Sequence, residues 1–137
     1  MKVEGGCYCG AVRYAAEGKP VMKAQCHCRQ CQYFSGGAPN MFMIMPADGF
    51  AYTRGAPRSF ARKDLPTPRT REFCGECGTH LLSLRPGLDA VILKVGTFDD
   101  PSQFGLPRAA IFTEDKQAFH CIPEDLPEFE QLPPARK

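Results

Sequence analysis

The sequence predicts a mainly β chain with short helical turns only. Three observations predict it. Apolar or alternating runs are short and recur along the whole chain. Thirteen glycines and thirteen prolines among 137 residues suit many tight connections. No stretch carries the sustained period of a long amphipathic helix.

The elements follow in chain order. YCGAVRYAA alternates, with Val12 and Tyr14 on one side and Arg13 on the other. VMKAQC, MFMIM, AYTR, REF, HLLSL and AVILKVG are further strand candidates. They are separated by EGKP, GGAPN, ADG, RGAP, PTP and RPGLD, all rich in turn formers. Outside the cysteine-rich region one helical turn is expected, in FDDPSQF. Asp99 or Asp100 would cap it and Pro101 would take its first position. The tail LPEFEQLPPARK has no periodic pattern, and its end, residues 133–137, is expected to fray. The length suits one domain over residues 1–137.

Composition narrows the function classes. Seventeen Lys plus Arg against fifteen Asp plus Glu give +2, too balanced to point to nucleic acid or an anionic membrane. No run approaches the roughly 20 apolar residues that a membrane helix needs. The first thirty residues lack the apolar core of a secretory signal. The expected setting is therefore reducing and cytoplasmic, where eight cysteines are not a disulfide scaffold.

Seven cysteines fall into three groups: Cys7 and Cys9, then Cys26, Cys28 and Cys31, then Cys74 and Cys77. In an extended strand, Cys-x-Cys puts two sulfurs on one face but closes too short a loop for an easy disulfide. Cys-x-x-Cys followed by glycine is the turn of a zinc knuckle, with Gly75 and Gly78 letting the backbone curl. A redox reading of Cys-x-x-Cys needs a helix-rich βαβ pattern, which is missing. Structural zinc is closed by four protein ligands, whereas catalytic zinc keeps three and one open position. The two pairs make a quartet, Cys7, Cys9, Cys74 and Cys77. The triple is left with three ligands. His27 or Cys121 can still be weighed as a fourth. Cys121 reads more simply as a small buried apolar residue, His120 as a surface or packing residue, and His80 as a support for the knuckle. Arg29, inside the triple, would balance the negative charge of three thiolates.

GGCYCGAVRY, QCHCRQCQYFSGG, REFCGECGTHL, VGTFDDPSQF and IFTEDKQAFHCIPEDLPEF together resemble the glutathione-dependent formaldehyde-activating enzyme family, which includes the domain of centromere protein V. The likeness runs from about Gly5 to Leu132. It implies a β-rich zinc fold similar to the Rab-exchange Mss protein and methionine sulfoxide reductase B. It implies a structural zinc at Cys7, Cys9, Cys74 and Cys77 and a catalytic zinc at Cys26, Cys28 and Cys31. The implied reaction is that of a carbon–sulfur lyase resembling S-(hydroxymethyl)glutathione synthase. Glutathione would be the thiol, a small aldehyde its partner, and no nucleic acid or membrane would be involved. The alternative is a zinc-stabilised binding or glutathione-carrier module. Departures lie outside the cysteine frame: Ala110 stands where members often carry His, and Phe119 where Trp is common. The carboxylates of the thiol would be held by cations drawn from Arg29, Arg13, Arg54, Arg62 and Lys63.

Overall fold

A computed structural model describes residues 1–134. The chain forms two compact units, each assembled from two stretches: Met1–Met22 with Met43–Gly105, and Lys23–Phe42 with the described part of Leu106–Lys137. The end of the expected frayed tail, residues 135–137, lies outside the described residues.

In the first unit, β1 (Lys2–Gly6), β2 (Arg13–Glu17) and β5 (Phe50–Arg54) form one antiparallel sheet in the order β1-β2-β5. Val3 lies opposite Ala16, and Tyr14 opposite Tyr52. The alternation read from the sequence holds: Val12, Tyr14 and Ala16 are buried while Arg13 and Ala15 are less so. A second run of strands follows the order β9-β8-β7-β6: β6 (Arg58–Phe60), β7 (Thr70–Phe73), β8 (His80–Leu84) and β9 (Ala90–Lys94). Val3, Tyr14, Ala16, Leu82 and Leu93 from both sheets meet in one core cluster that also takes in Cys7 and Cys74.

Two strands of this unit carry no clear sequence signal. β1 is KVEGG, and glycine is a poor strand former. Its glycine is nonetheless required, because a Cβ on Gly5 would lie 2.3 Å from the Thr97 carbonyl and 2.6 Å from the Tyr14 hydroxyl. β6 is three exposed residues held by pairing with β7. The Pro101–Phe104 turn matches the expected one: Asp100 caps it by accepting from the Ser102 N–H at 3.1 Å. Arg13 forms a two-pronged ion pair with Asp99, one limb being 2.8 Å.

In the second unit, β3 (Met22–Cys26) runs parallel to β10 (Ala109–Ile111), with Ala24 opposite Ala109 and Cys26 opposite Ile111. α1 (Arg29–Phe34) follows β3 after two residues. β4 (Asn40–Pro46) carries the chain into the other unit. The chain after Pro127 is tied down more than its composition suggests. Phe129 N–H donates to the Ala110 carbonyl, and Phe112 N–H to that of Gln131. Among the described residues no helix is long and apolar enough to cross a membrane.

Tyr14 supplies a test of the first unit's core. Its hydroxyl is 2.7 Å from Thr97 Oγ1, and burial pushes its pKa up to about 12. The folded chain thus holds that proton more tightly than the unfolded one, whose tyrosine titrates near about 10. The stabilisation is complete below that value and is lost as pH rises through the folded one. Tyr14→Phe is expected to cost about 1 kcal/mol at neutral pH. Urea unfolding above pH 10 should then show the wild type weakening more steeply than the variant, until their midpoints approach each other.

Candidate functional site

The quartet is built from two turns of the first unit. β1 ends at Gly6, and the chain bends back so that Gly10 N–H donates to the Cys7 carbonyl and Cys7 N–H to that of Val12. Cys7 and Cys9 thus lie in a turn rather than in the extended strand that the Cys-x-Cys spacing suggests. β7 ends at Phe73 in a similar way, with Gly78 N–H donating to the Cys74 carbonyl at 2.9 Å. Gly78 has φ of 80° and takes the left-handed bend of the knuckle. Gly75 is packed beneath the Arg58 side chain, whose Cδ would lie 2.5 Å from a Cβ there.

All four sulfurs lie within 4.8 Å of one another. Cys7 Sγ is 3.6 Å from Cys9 Sγ, which is 3.8 Å from Cys74 Sγ. Tetrahedral zinc with bonds of about 2.3 Å sets its sulfurs about 3.8 Å apart, so the donor set fits that ion. Backbone N–H groups already point at the sulfurs: Val12 at Cys7 (3.2 Å), Glu76 and Cys77 at Cys74 (3.4 and 3.5 Å). Crowding splits the acidities. The Thr79 hydroxyl, 3.1 Å from Cys77 Sγ, leads a set of hydrogen bonds that bring Cys77 down to about 5. At Cys9 the Ala11 backbone contact favours the thiolate, but the neighbouring Cys7 sulfur and the other thiols outweigh it and push Cys9 up to about 12. Only a cation lets all four ionise together. His80, the expected knuckle support, sits on β8 with its ring stacked 5.5 Å from that of Phe73.

The trio belongs to the second unit. Cys26 ends β3, Cys28 is the N-cap of α1, and Cys31 lies in its first turn. Cys31 N–H donates to Cys28 Sγ at 3.2 Å, as a side-chain cap does. The three sulfurs lie within 4.8 Å of one another, and no fourth His, Cys, Asp or Glu joins them among the described residues. Cys28 and Cys31 push the buried Cys26 thiol far above its ordinary range. This donor set again fits a soft dication, here with one position unfilled by those residues. Cys121 is exposed, not the buried apolar residue expected, and its sulfur is not part of the group. His27 is buried with both ring nitrogens hydrogen-bonded elsewhere. His120 is half-buried and bonded through both nitrogens, which fits the packing alternative read for it.

Two supports of the trio escaped the sequence reading. Gln32 is buried in α1 and uses its whole amide. Its Nε2 donates to the His27 carbonyl (2.9 Å) and the Asp115 carbonyl (3.0 Å), while its Oε1 accepts from Arg29 Nη1 (2.5 Å) and Gln117 Nε2 (3.2 Å). Asp115 Oδ2 accepts from the Arg29 N–H at 3.2 Å. A Gln one turn after a helix-capping cysteine was the available signal for the first; nothing local marks the second.

The cations weighed for the substrate's carboxylates are dispersed. Arg29 shares the trio's unit, exposed, with its guanidinium 5.0 Å from the Tyr33 ring centre. Arg13, Arg54, Arg62 and Lys63 lie in the other unit. Of these, Arg13 is paired with Asp99, Arg62 with Asp64, and Arg54 reaches the Gly10 carbonyl at 3.4 Å.

Residues 2–115 match the family model described as glutathione-dependent formaldehyde-activating enzyme. A crystal structure of a Rhodobacter sphaeroides protein aligns with a TM-score of 0.59 at 18% identity, covering 76% of this chain and 96% of that one. At that identity the likeness is one of fold.

Gln32→Leu keeps the volume but strips two carbonyls of their donor. A loss of about 2 kcal/mol or more is expected, read as a lower urea midpoint. Alkylation of Cys28 and Cys31 in the metal-free protein should quicken with it. An unchanged midpoint would mean that the amide is dispensable.

Proposed function

The chain belongs to the glutathione-dependent formaldehyde-activating enzyme family, and on that footing we propose a zinc enzyme of the carbon–sulfur lyase class. It joins the thiol of glutathione, or a close relative, to formaldehyde or another small aldehyde. Cys7, Cys9, Cys74 and Cys77 would hold a structural zinc, and Cys26, Cys28 and Cys31 a catalytic one. The observation that carries this reading is the unequal ligand count: four sulfurs in one group and three in the other, with no further protein donor among the described residues.

The chemistry suits such a set. Zinc bound by three thiolates is electron-rich, poor at making hydroxide, and able to keep a fourth thiol deprotonated. In the reaction the substrate sulfur forms a bond to the aldehyde carbon, and its proton ends on the carbonyl oxygen. A free thiol with pKa about 8.5 is about 3% ionised at pH 7, so ionisation alone gains at most about thirtyfold. Part of that is returned, because nucleophilicity falls with pKa at a slope of about 0.4–0.5. Orientation offers more, with effective molarities of about 10⁵–10⁸ M for aligned pairs. What the chain itself must do is hold Cys26, Cys28 and Cys31 fixed and position the two reactants. The buried Gln32 amide and the Asp115 carboxylate support the first task. Arg29 is the nearest cation in sequence to the trio and the one proposed to face a substrate carboxylate. A reducing, cytoplasmic setting suits seven unoxidised thiols.

Metal content tests the reading. The purified chain should carry two zinc ions. Cys28→Ser should lose one with the fold retained, and Cys74→Ser should lose the other together with the first unit's cooperative unfolding. Glutathione, but not its S-methyl analogue, should then bind the wild type and fail to bind Cys28→Ser. Equal binding of both ligands would remove the thiol from the metal. Binding by glutathione with no acceleration of adduct formation would establish a carrier rather than a catalyst.

A further inference from the structure

His27 stands between two members of the trio and is wholly buried, at 0% exposure. Its Nδ1 lies 2.9 Å from His120 Nδ1, with the rings tilted at 57°. Its Nε2 lies 2.9 Å from Gln25 Nε2. Two facing ring nitrogens need one hydrogen between them, and the surrounding contacts say whose it is. His120 Nε2 is 2.7 Å from the Gly37 carbonyl, which only accepts, so that nitrogen carries a hydrogen. A neutral His120 then has a bare Nδ1, and the Gln117 N–H donates to it at 3.2 Å. The hydrogen between the rings therefore belongs to His27 Nδ1. His27 Nε2 is left as an acceptor for the Gln25 amide N–H, which also reaches the Cys121 carbonyl at 3.2 Å. Reversing the tautomer of either ring sets two donors or two acceptors against each other.

We propose that His120 is a positioning residue for the three-cysteine group, holding His27 in one tautomer and one orientation. A ring pinned on both sides fixes the peptide that carries it. Cys26 and Cys28 flank that peptide, so their sulfurs are held where they converge with Cys31. The same His120 ties down Gly37, which follows α1, so the chain on both sides of α1 is anchored to one side chain. Groups that hydrogen-bond a metal ligand directly are worth about 10–100-fold in metal affinity, and His120 acts one residue further out, through His27. The metal part of the inference rests on the zinc reading above; the tautomer part does not.

The test uses the full chain loaded with zinc and titrated with a chromophoric chelator, which separates the two groups by strength. His120→Ala is expected to weaken the trio by about 10-fold, the low end of that range, and to leave the quartet unchanged. His120→Asn, which keeps an acceptor near the Nδ1 position, should recover most of the loss. His120→Gln, whose amide reaches the Nε2 position and can serve the Gly37 carbonyl but leaves nothing at Nδ1, should not. Unchanged affinity in His120→Ala, or rescue by Gln instead of Asn, would overturn the proposal. Nitrogen-15 shifts of the wild type, read with and without zinc, decide the pair separately: His27 must be protonated on Nδ1 and His120 on Nε2. The opposite assignment at His27 overturns it even if the variants lose metal. A wild type whose trio holds no zinc would sink the zinc reading, and the ring shifts would still judge the pair.

Discussion

Thiolates packed to within 4.8 Å repel one another, and this repulsion dictates what the rest of the chain must supply. Two unit charges about 4 Å apart cost about 4 kcal/mol at an effective dielectric of about 20. Four sulfurs make six such pairs and three make three. Without a cation the groups stay partly protonated: neighbouring sulfurs drive Cys9 and Cys26 upward, while the hydrogen bonds from Thr79 bring Cys77 down. Backbone N–H groups aimed at Cys7, Cys74 and Cys28 reduce the repulsion only in part. A dication removes it, so metal binding and ionisation of these thiols are one event.

The two Cys-x-x-Cys segments show how local sequence adapts one spacing to two settings. After Cys77 comes Gly78 in the left-handed region, so the chain reverses and enters β8. After Cys31 come Gln32, Tyr33 and Phe34 and no glycine before Gly36, so the chain continues as α1 with Cys28 as its cap. The knuckle turns back on itself, and its exposed Cys77 borrows the Thr79 hydroxyl. The helix instead buries Cys31 and brings Gln32 inward, where a polar amide must find four partners and does.

The cysteine frame was readable because ligand spacing is local. Both groups assemble as the ligand count divides them. Strands with dense apolar residues, such as those in HLLSL and AVILKVG, were readable for the same reason. What escaped depends on distant chain. β10 is three buried residues, Ala109, Ala110 and Ile111, given their conformation by β3 more than eighty positions earlier. The segment near Phe129 looked featureless, yet its backbone bonds to residues 110–113. His120 shows no signal at all, since the ring it meets is 93 residues away. Cys-x-Cys misled in one respect: two sulfurs can share a side through a turn as readily as through a strand, and here they do.

The groups also differ in how much chain they restrain, and that separates their roles. Cys9 and Cys74 are 65 residues apart. A cross-link closing a loop of that size removes about 4 kcal/mol of unfolded-state entropy on the chain-entropy model. The trio spans six residues, where the same relation gives about half as much and the local backbone is already set by β3 and by the cap of α1. A metal held by the quartet would therefore brace the first unit, with its four sulfurs leaving no position open. An ion at the trio would add less to the second unit than one at the quartet would add to the first. What holds that trio in shape is the polar network of Gln32, Asp115 and the paired histidines, all of it protein. On the zinc reading, an ion at the trio would sit on a platform that protein bonds already hold, and would be free to exchange its fourth partner.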